Sequence, residues 1–116
     1  MSSSTKCIIY RGAGRGIPAF VVRGERLYDG MGAGMPLITI KGNHIHDGIG
    51  ANIAVATVRE NKVYRGTGFG PPLYTIRENQ VYPGIGVGFA LLTGDECCGI
   101  MELAAAAMAL EREARR

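Results

Sequence analysis

Residues 60–77, ENKVYRGTGFGPPLYTIR, form one of five consecutive copies of an 18-residue unit. The copies cover residues 6–23, 24–41, 42–59, 60–77 and 78–95, and no residue separates one copy from the next. An aromatic residue marks the period, followed by glycines two and four residues later: Tyr10, Tyr28, His46, Tyr64 and Tyr82. A fixed period indicates that one small structural unit has been copied, so we expect a repeat fold.

Each copy contains two short runs that favour β-strands. In the fourth copy these runs are residues 62–65 and 73–77, and both are rich in β-branched and aromatic residues. Eighteen residues are too few for a helix, a strand and their connections. We therefore expect two strands in each copy.

Two-residue junctions connect the last strand of one copy to the first strand of the next: Gly24-Glu25, Gly42-Asn43, Glu60-Asn61 and Glu78-Asn79. Glycine and asparagine tolerate the positive φ that tight hairpin turns need. A turn at 60–61 places Val58 opposite Val63 and Thr57 opposite Tyr64. Because side chains alternate along a strand, one face carries Val, Ile and Leu, and the other carries the aromatic residues beside Val21, Thr39, Thr57 and Thr75.

The apolar face must be buried, and a lone hairpin cannot bury it. Its members are Val22, Leu27, Ile40, Ile45, Val58, Val63, Ile76 and Val81. Full burial of these side chains contributes on the order of 10–25 kcal/mol before opposing terms. Five hairpins around an axis bury the face together, and a closed ring leaves no free edge. The sequence predicts an all-β fold, a five-fold pseudo-symmetric toroid, with the glycine runs where chains crowd near the axis.

Short tandem units with a Val-Tyr-x-Gly-x-Gly motif and a later Ile-x pair resemble the five-fold β-flower repeat proteins of bacteria. The resemblance covers residues 6–95 and depends on unit length and pattern, not on a catalytic signature. It implies a structural or binding module with no established activity. MORN-type repeats also combine Tyr and Gly in hairpins, but their units are longer and stack linearly.

Residues 97–116 depart from the period, and strong helix formers after Gly99 predict a C-terminal helix. One apolar stripe of this helix consists of Ile100, Leu103, Ala104, Ala107 and Leu110. An isolated helix of this length is only marginally stable in water, so its apolar stripe must pack against another surface. Either it caps one face of the ring, or its five residues form an interface with another copy of the chain or another protein.

Amino-acid composition limits the classes of protein to which this chain can belong. A hydrophobic fraction of 47% argues against a disordered chain despite 18 glycines, and a net charge of +3 does not by itself predict a nucleic-acid partner. Residues 1–5 are polar, which predicts a flexible N-terminus without a signal-peptide pattern, and no apolar stretch is long enough for a membrane span. Three cysteines, Cys7, Cys97 and Cys98, favour reduced thiols in a cytoplasmic protein.

Two candidate binding sites consist of residues that recur at the same position in successive copies. The first is a basic set at the hairpin tips, with Asp95 as the exception in the fifth copy: Arg23, Lys41, Arg59 and Arg77. It could attract an anion, although glutamates in the same turns neutralise much of its charge. The second is the aromatic set with its threonine neighbours, which could bind a polar ligand. Tyrosine also fills space between neighbouring hairpins, so a structural role competes.

No catalytic, metal or cofactor set emerges. The serines are confined to residues 2–4, and His44 and His46 with Asp47 supply too few ligands for zinc. A strand rather than a helix follows each glycine run, so the dinucleotide-binding context is missing. The third copy departs most, with His46, Asn52 and Ala54 at the aromatic, glycine and proline positions, and a ligand that breaks the symmetry would lie there.

The leading hypothesis is a non-enzymatic structural or interaction module that forms a homo-oligomer through its helix or a ring face. The alternative is a protein that binds a carbohydrate, a phosphate or a nucleic acid through the aromatic or basic set.

Overall fold

The computed structural model describes residues 6–12, 16, 18–30, 34–48, 54–66, 70–86, 88–95 and 98–114. These residues form ten strands and one helix: β1 (Lys6–Arg11), β2 (Pro18–Arg23), β3 (Arg26–Asp29), β4 (Ile38–Lys41), β5 (His44–Asp47), β6 (Ala56–Arg59), β7 (Lys62–Arg65), β8 (Tyr74–Arg77), β9 (Gln80–Pro83), β10 (Leu92–Gly94) and α1 (Ile100–Ala114). The expected all-β architecture with a C-terminal helix is confirmed.

The strands form one closed antiparallel barrel in which each strand pairs with its neighbours in sequence and β1 pairs with β10. The predicted hairpin register is confirmed, since Val58 lies opposite Val63 and Thr57 opposite Tyr64. Successive hairpins are also hydrogen-bonded to each other, as where β7 pairs with β8. The sheet is therefore continuous around the barrel, and the hairpins are not separate blades.

The predicted apolar face lines the interior of this barrel. All eight of its Val, Ile and Leu side chains are buried in one hydrophobic core. Phe20, Ile38, Ala56 and Leu92 lie on the same face, two residues earlier in their strands, and are buried with them. Alternation along the strands is thus sufficient to place the wall of the core.

Helix α1 lies inside the barrel. The seven consecutive residues 103–109 are all buried, and together they span about two helical turns. A helix buried on every side must be surrounded, and α1 packs against strands from all around the barrel, including β1, β4, β6 and β8. Four successive alanines, residues 104–107, keep the helix thin enough to fit within the wall.

This placement decides between the two alternatives for the apolar stripe. Leu103, Ala104 and Ala107 are fully covered by the chain's own barrel, Leu110 is half-buried, and only Ile100 is exposed, at 41%. The stripe is therefore not available to a second chain, and the helix fills the ring instead of capping it.

No helix in the described part of the chain is long and apolar enough to cross a membrane.

Polar contacts hold both ends of α1. At its start, the Gly99 N–H donates to Oε1 of Glu102 at 2.9 Å, as in a capping box. Near its end, Glu111 accepts hydrogen bonds from Nη2 of Arg65 at 3.0 Å and from the Tyr74 hydroxyl at 3.4 Å. A carboxylate near a helix C-terminus is unfavourable, so the Arg65 guanidinium compensates for its position.

The first glycine of each run is needed for its backbone conformation and not for close contact with neighbouring atoms. The first glycine of each run has φ between 55° and 74°: Gly12, Gly30, Gly48, Gly66 and Gly84. A Cβ added at any of these five would meet no atom within 4 Å, so the expected crowding is wrong for them. The second glycines of the first four runs lie outside the described residues.

We predict that Ala105→Leu lowers the free energy of unfolding by about 1–3 kcal/mol, because the barrel wall leaves no room for the added carbons. Urea denaturation followed by circular dichroism measures the change. Ile100→Leu, on the exposed start of the same helix, is the matched control and should leave the midpoint unchanged. Equal midpoints for both variants would mean that the helix is not enclosed.

The hairpin tips give a second stability prediction. Glu78 has φ 52° and Gly42, at the equivalent tip position, has φ 61°. A left-handed conformation costs a non-glycine residue about 1–2 kcal/mol, while glycine costs about 0.5–1 kcal/mol in chain entropy. Glu78→Gly should therefore raise the free energy of unfolding by about 0.5–1 kcal/mol, and Gly42→Ala should lower it by a similar amount. A change of the same sign in both would contradict this account.

Candidate functional site

The threonines beside the aromatic residues are used within the fold. Each donates its hydroxyl to a glycine carbonyl at the start of a glycine run, at 2.7 or 2.8 Å: Thr39 to Gly48, Thr57 to Gly66, Thr75 to Gly84 and Thr93 to Gly12. Thr39, Thr57 and Thr75 are buried. These hydroxyls hold the first glycine of four runs against the strands, so the four threonines serve the fold.

The basic and aromatic sets, which the sequence presented as two candidate sites, meet in single hairpins. The guanidinium carbon lies 4.4–4.7 Å from a tyrosine ring centroid in three of them: Arg23 over Tyr28, Arg59 over Tyr64 and Arg77 over Tyr82. Where the second copy joins the third, the corresponding residues are Lys41 and His46, across the β4–β5 hairpin. Each exposed cation–π contact contributes about 0.5–1 kcal/mol, and it fixes the guanidinium against its own hairpin.

A groove of about 460 Å³ lies beside one of these pairs and is lined by Asn61, Ile76, Arg77, Glu78 and Tyr82. Arg77 also donates to the Gly86 carbonyl at 2.8 Å, and the Asn61 amide donates to the Ile76 carbonyl at 3.2 Å. The groove combines one cation, one aromatic ring and one amide, which suits a small polar or anionic ligand. Glu78 and the internal hydrogen bonds reduce its attraction for an anion.

A second cluster lies where β1 meets β10, a place we call the seam because no hairpin turn joins these two strands. Cys7 and Cys98 form a buried disulfide there, with their Cα atoms 5.2 Å apart. The expectation of reduced thiols is therefore wrong for this pair, while Cys97 lies outside the described residues. The two cysteines are 91 residues apart in sequence, and only barrel closure brings them together.

Asp95, the exception in the basic set, belongs to the same seam. Its N–H donates to the Ile8 carbonyl at 3.1 Å, and its Oδ2 accepts from the Ile8 N–H at 3.3 Å. Its Oδ1 lies 3.5 Å from Sγ of Cys98. Among the described residues, the cluster of three side chains that could hold a metal ion is Cys7, Asp95 and Cys98, and the two histidines are not part of it.

The end of the barrel opposite the hairpin tips, which we call the loop end, exposes apolar side chains. Met35 is 74% exposed, Ile85 71% and Phe89 92%. Their loops follow β3 and β9, and so open at the same end. The sequence carries a matching signal, because every copy has an apolar residue at the same loop position: Ile17, Met35, Ile53, Pro71 and Phe89.

No family model, curated protein or solved structure matches the chain. The β-flower resemblance therefore stays a prediction, although a closed barrel built from repeated hairpins fits it. The function has to be inferred from the chain's own surfaces.

We predict that Arg77→Ala lowers the free energy of unfolding by about 1–2 kcal/mol, because it removes both the contact with Tyr82 and the hydrogen bond to Gly86. Thermal or urea denaturation measures the loss. Arg11→Ala is the comparison variant, since the Arg11 guanidinium carbon lies 5.9 Å from the Phe20 ring centroid, farther than the 4.7 Å between Arg77 and Tyr82. A larger loss for Arg11→Ala than for Arg77→Ala would contradict the assigned contacts.

Proposed function

We propose that this protein is a non-enzymatic interaction module that binds through the loop end of its barrel. The observation that carries the proposal is the 92% exposure of Phe89, with Met35 and Ile85 exposed at the same end. Large apolar side chains held in water cost free energy, and grouped exposure of this kind is typical of interaction surfaces.

The size of the effect is sufficient for association. Burying one such side chain contributes about 1.5–3 kcal/mol, so three contribute about 5–9 kcal/mol before the cost of association. The barrel interior cannot receive a partner because α1 occupies it. A partner therefore binds outside, and the loop end is the surface that gains most from being covered.

A second copy of the chain is the partner that we propose first. If the five copies are arranged with five-fold pseudo-symmetry, the loops present the same apolar position repeatedly around one end. Such a surface is complementary to itself, and two copies can meet loop end to loop end across a two-fold axis. A net charge of +3 is too small to oppose this association strongly.

We expect the wild-type chain to self-associate and Phe89→Ser with Met35→Ser to shift it towards the monomer. Multi-angle light scattering over a concentration series measures the change. Ile100→Ser, which removes an exposed apolar side chain at the end of the barrel that carries the hairpin tips, is the matched control and should leave the mass unchanged. A wild-type monomer at high concentration removes self-assembly from the proposal.

The alternative is binding of a small polar or anionic ligand in the groove beside Arg77 and Tyr82. The observation that favours it is a guanidinium held over an aromatic ring at the mouth of a concave surface. Thermal shifts with phosphate, an oligosaccharide and a short nucleic acid, each at two salt concentrations, test it. Flat responses to all three would exclude this alternative.

The cytoplasmic location stays a prediction. Disulfides are rare in cytosolic proteins, so the Cys7–Cys98 pair does not support a cytoplasmic location.

A further inference from the structure

Three departures from the repeat and a cysteine that follows the repeats meet at the seam. Cys7 stands where the later copies have Glu25, Asn43, Asn61 and Asn79, and Asp95 stands where the earlier copies have Arg or Lys. Gly94 stands where the earlier copies have Val22, Ile40, Val58 and Ile76. Cys98, which follows the repeats, completes the group. Copying does not explain any of these residues, so the seam has a requirement of its own.

Gly94 shows that the seam is built to hold the cysteine side chain. A Cβ at this residue would lie 2.8 Å from Cβ and 2.9 Å from Sγ of Cys98. The Val or Ile of the other copies would thus occupy the volume that Cys98 fills. Because Gly94 has no side chain, the barrel wall has room for the sulfur atom of Cys98.

We propose that the seam is a zinc-binding site when Cys7 and Cys98 are reduced, with both thiolates and the Asp95 carboxylate as ligands. The three side chains already offer one ligand atom each within 4.8 Å of one another. Thiolates with a carboxylate form a donor set that zinc accepts. The proposal is independent of binding at the loop end.

The separation between the Asp95 and Cys98 donor atoms fits a tetrahedral ion. With zinc bonds of about 2.3 Å to sulfur and about 2.0–2.2 Å to oxygen, a tetrahedral angle separates the two donors by about 3.5 Å. Oδ1 of Asp95 lies 3.5 Å from Sγ of Cys98. Two zinc-bound sulfurs need a separation of about 3.8 Å, which rotation of the cysteine side chains can provide once the S–S bond is broken.

Groups around the ligands hold them in place. Oδ2 of Asp95 accepts the Ile8 N–H, which orients the carboxylate so that Oδ1 faces Cys98. Outer hydrogen bonds of this kind fix the ligands of metal sites. The start of α1 at Ile100 is two residues after Cys98, and its N-terminal partial charge favours an anionic donor set.

A thiol reductant can convert the disulfide into the two thiols that bind zinc. Two thiols of the reductant supply two electrons and two protons, the Cys7–Cys98 bond breaks, and the reductant becomes a disulfide. Each of the two new thiols then releases its proton as it binds Zn²⁺. The ion keeps its oxidation state and gains three protein ligands, and a water molecule takes the fourth position.

The test uses the full chain, oxidised and reduced with a phosphine that is then removed without oxygen. Zn²⁺ affinity is measured by competition with a chromophoric chelator, and Co²⁺ is added separately for its thiolate charge-transfer absorption. We expect one Zn²⁺ for each reduced chain and none for the oxidised chain. Cys98→Ser and Cys7→Ser should each weaken binding at least about 100-fold and Asp95→Asn at least about 10-fold.

Cys97→Ser is the matched control and should bind Zn²⁺ as tightly as the wild type. A folded, reduced chain without stoichiometric Zn²⁺ overturns the proposal, and so does binding that survives Cys98→Ser or is lost in Cys97→Ser. If reduction unfolds the chain, Zn²⁺ must restore the circular dichroism spectrum, because metal binding is coupled to folding. A chain that stays unfolded with Zn²⁺ also overturns it.

Discussion

The packing of α1 against the inside of the barrel wall is the interaction on which the other features depend. A closed sheet of ten strands encloses more space than its own side chains fill, and an empty apolar interior would cost dispersion contacts on every strand. The alanines at 104–107 let a helix occupy that space, while Leu103 and Met108 fill it above and below. The inward Val and Ile side chains are stabilising because this helix gives them a surface to contact.

The strands of the barrel wall could be predicted from the sequence because turn length and side-chain alternation depend only on residues that are close together in the chain. Two-residue junctions set the register, so Val58 opposite Val63 and Thr57 opposite Tyr64 could be derived by counting. Alternation then assigned the interior face. The position of α1 could not be derived in this way, because a stripe drawn through Leu103 and Ala107 treats the helix as one-sided. The alanines between them fit burial on every side equally well.

Long-range contacts account for the other differences. Cys7 and Cys98 are close only because β1 pairs with β10 and the chain then turns into α1, and no spacing rule relates residues 91 apart. The seam also explains why Asp95 breaks the basic set, since its backbone and side chain replace the contacts of a missing hairpin turn. The candidate site on the outer face was half predictable: the sequence identified Arg77 and Tyr82, but not that one covers the other.

The position of α1 in the chain has a consequence for biosynthesis. All ten strands precede the helix in sequence, so a ribosome makes the wall before it makes the segment that fills the wall. Until then, the inward Val, Ile and Leu side chains have nothing to cover them, and nascent chains in this state are prone to aggregate or to bind chaperones. The barrel must stay open, or open again, until α1 has emerged and entered it. Folding of the barrel is thus completed only when this C-terminal helix has entered it.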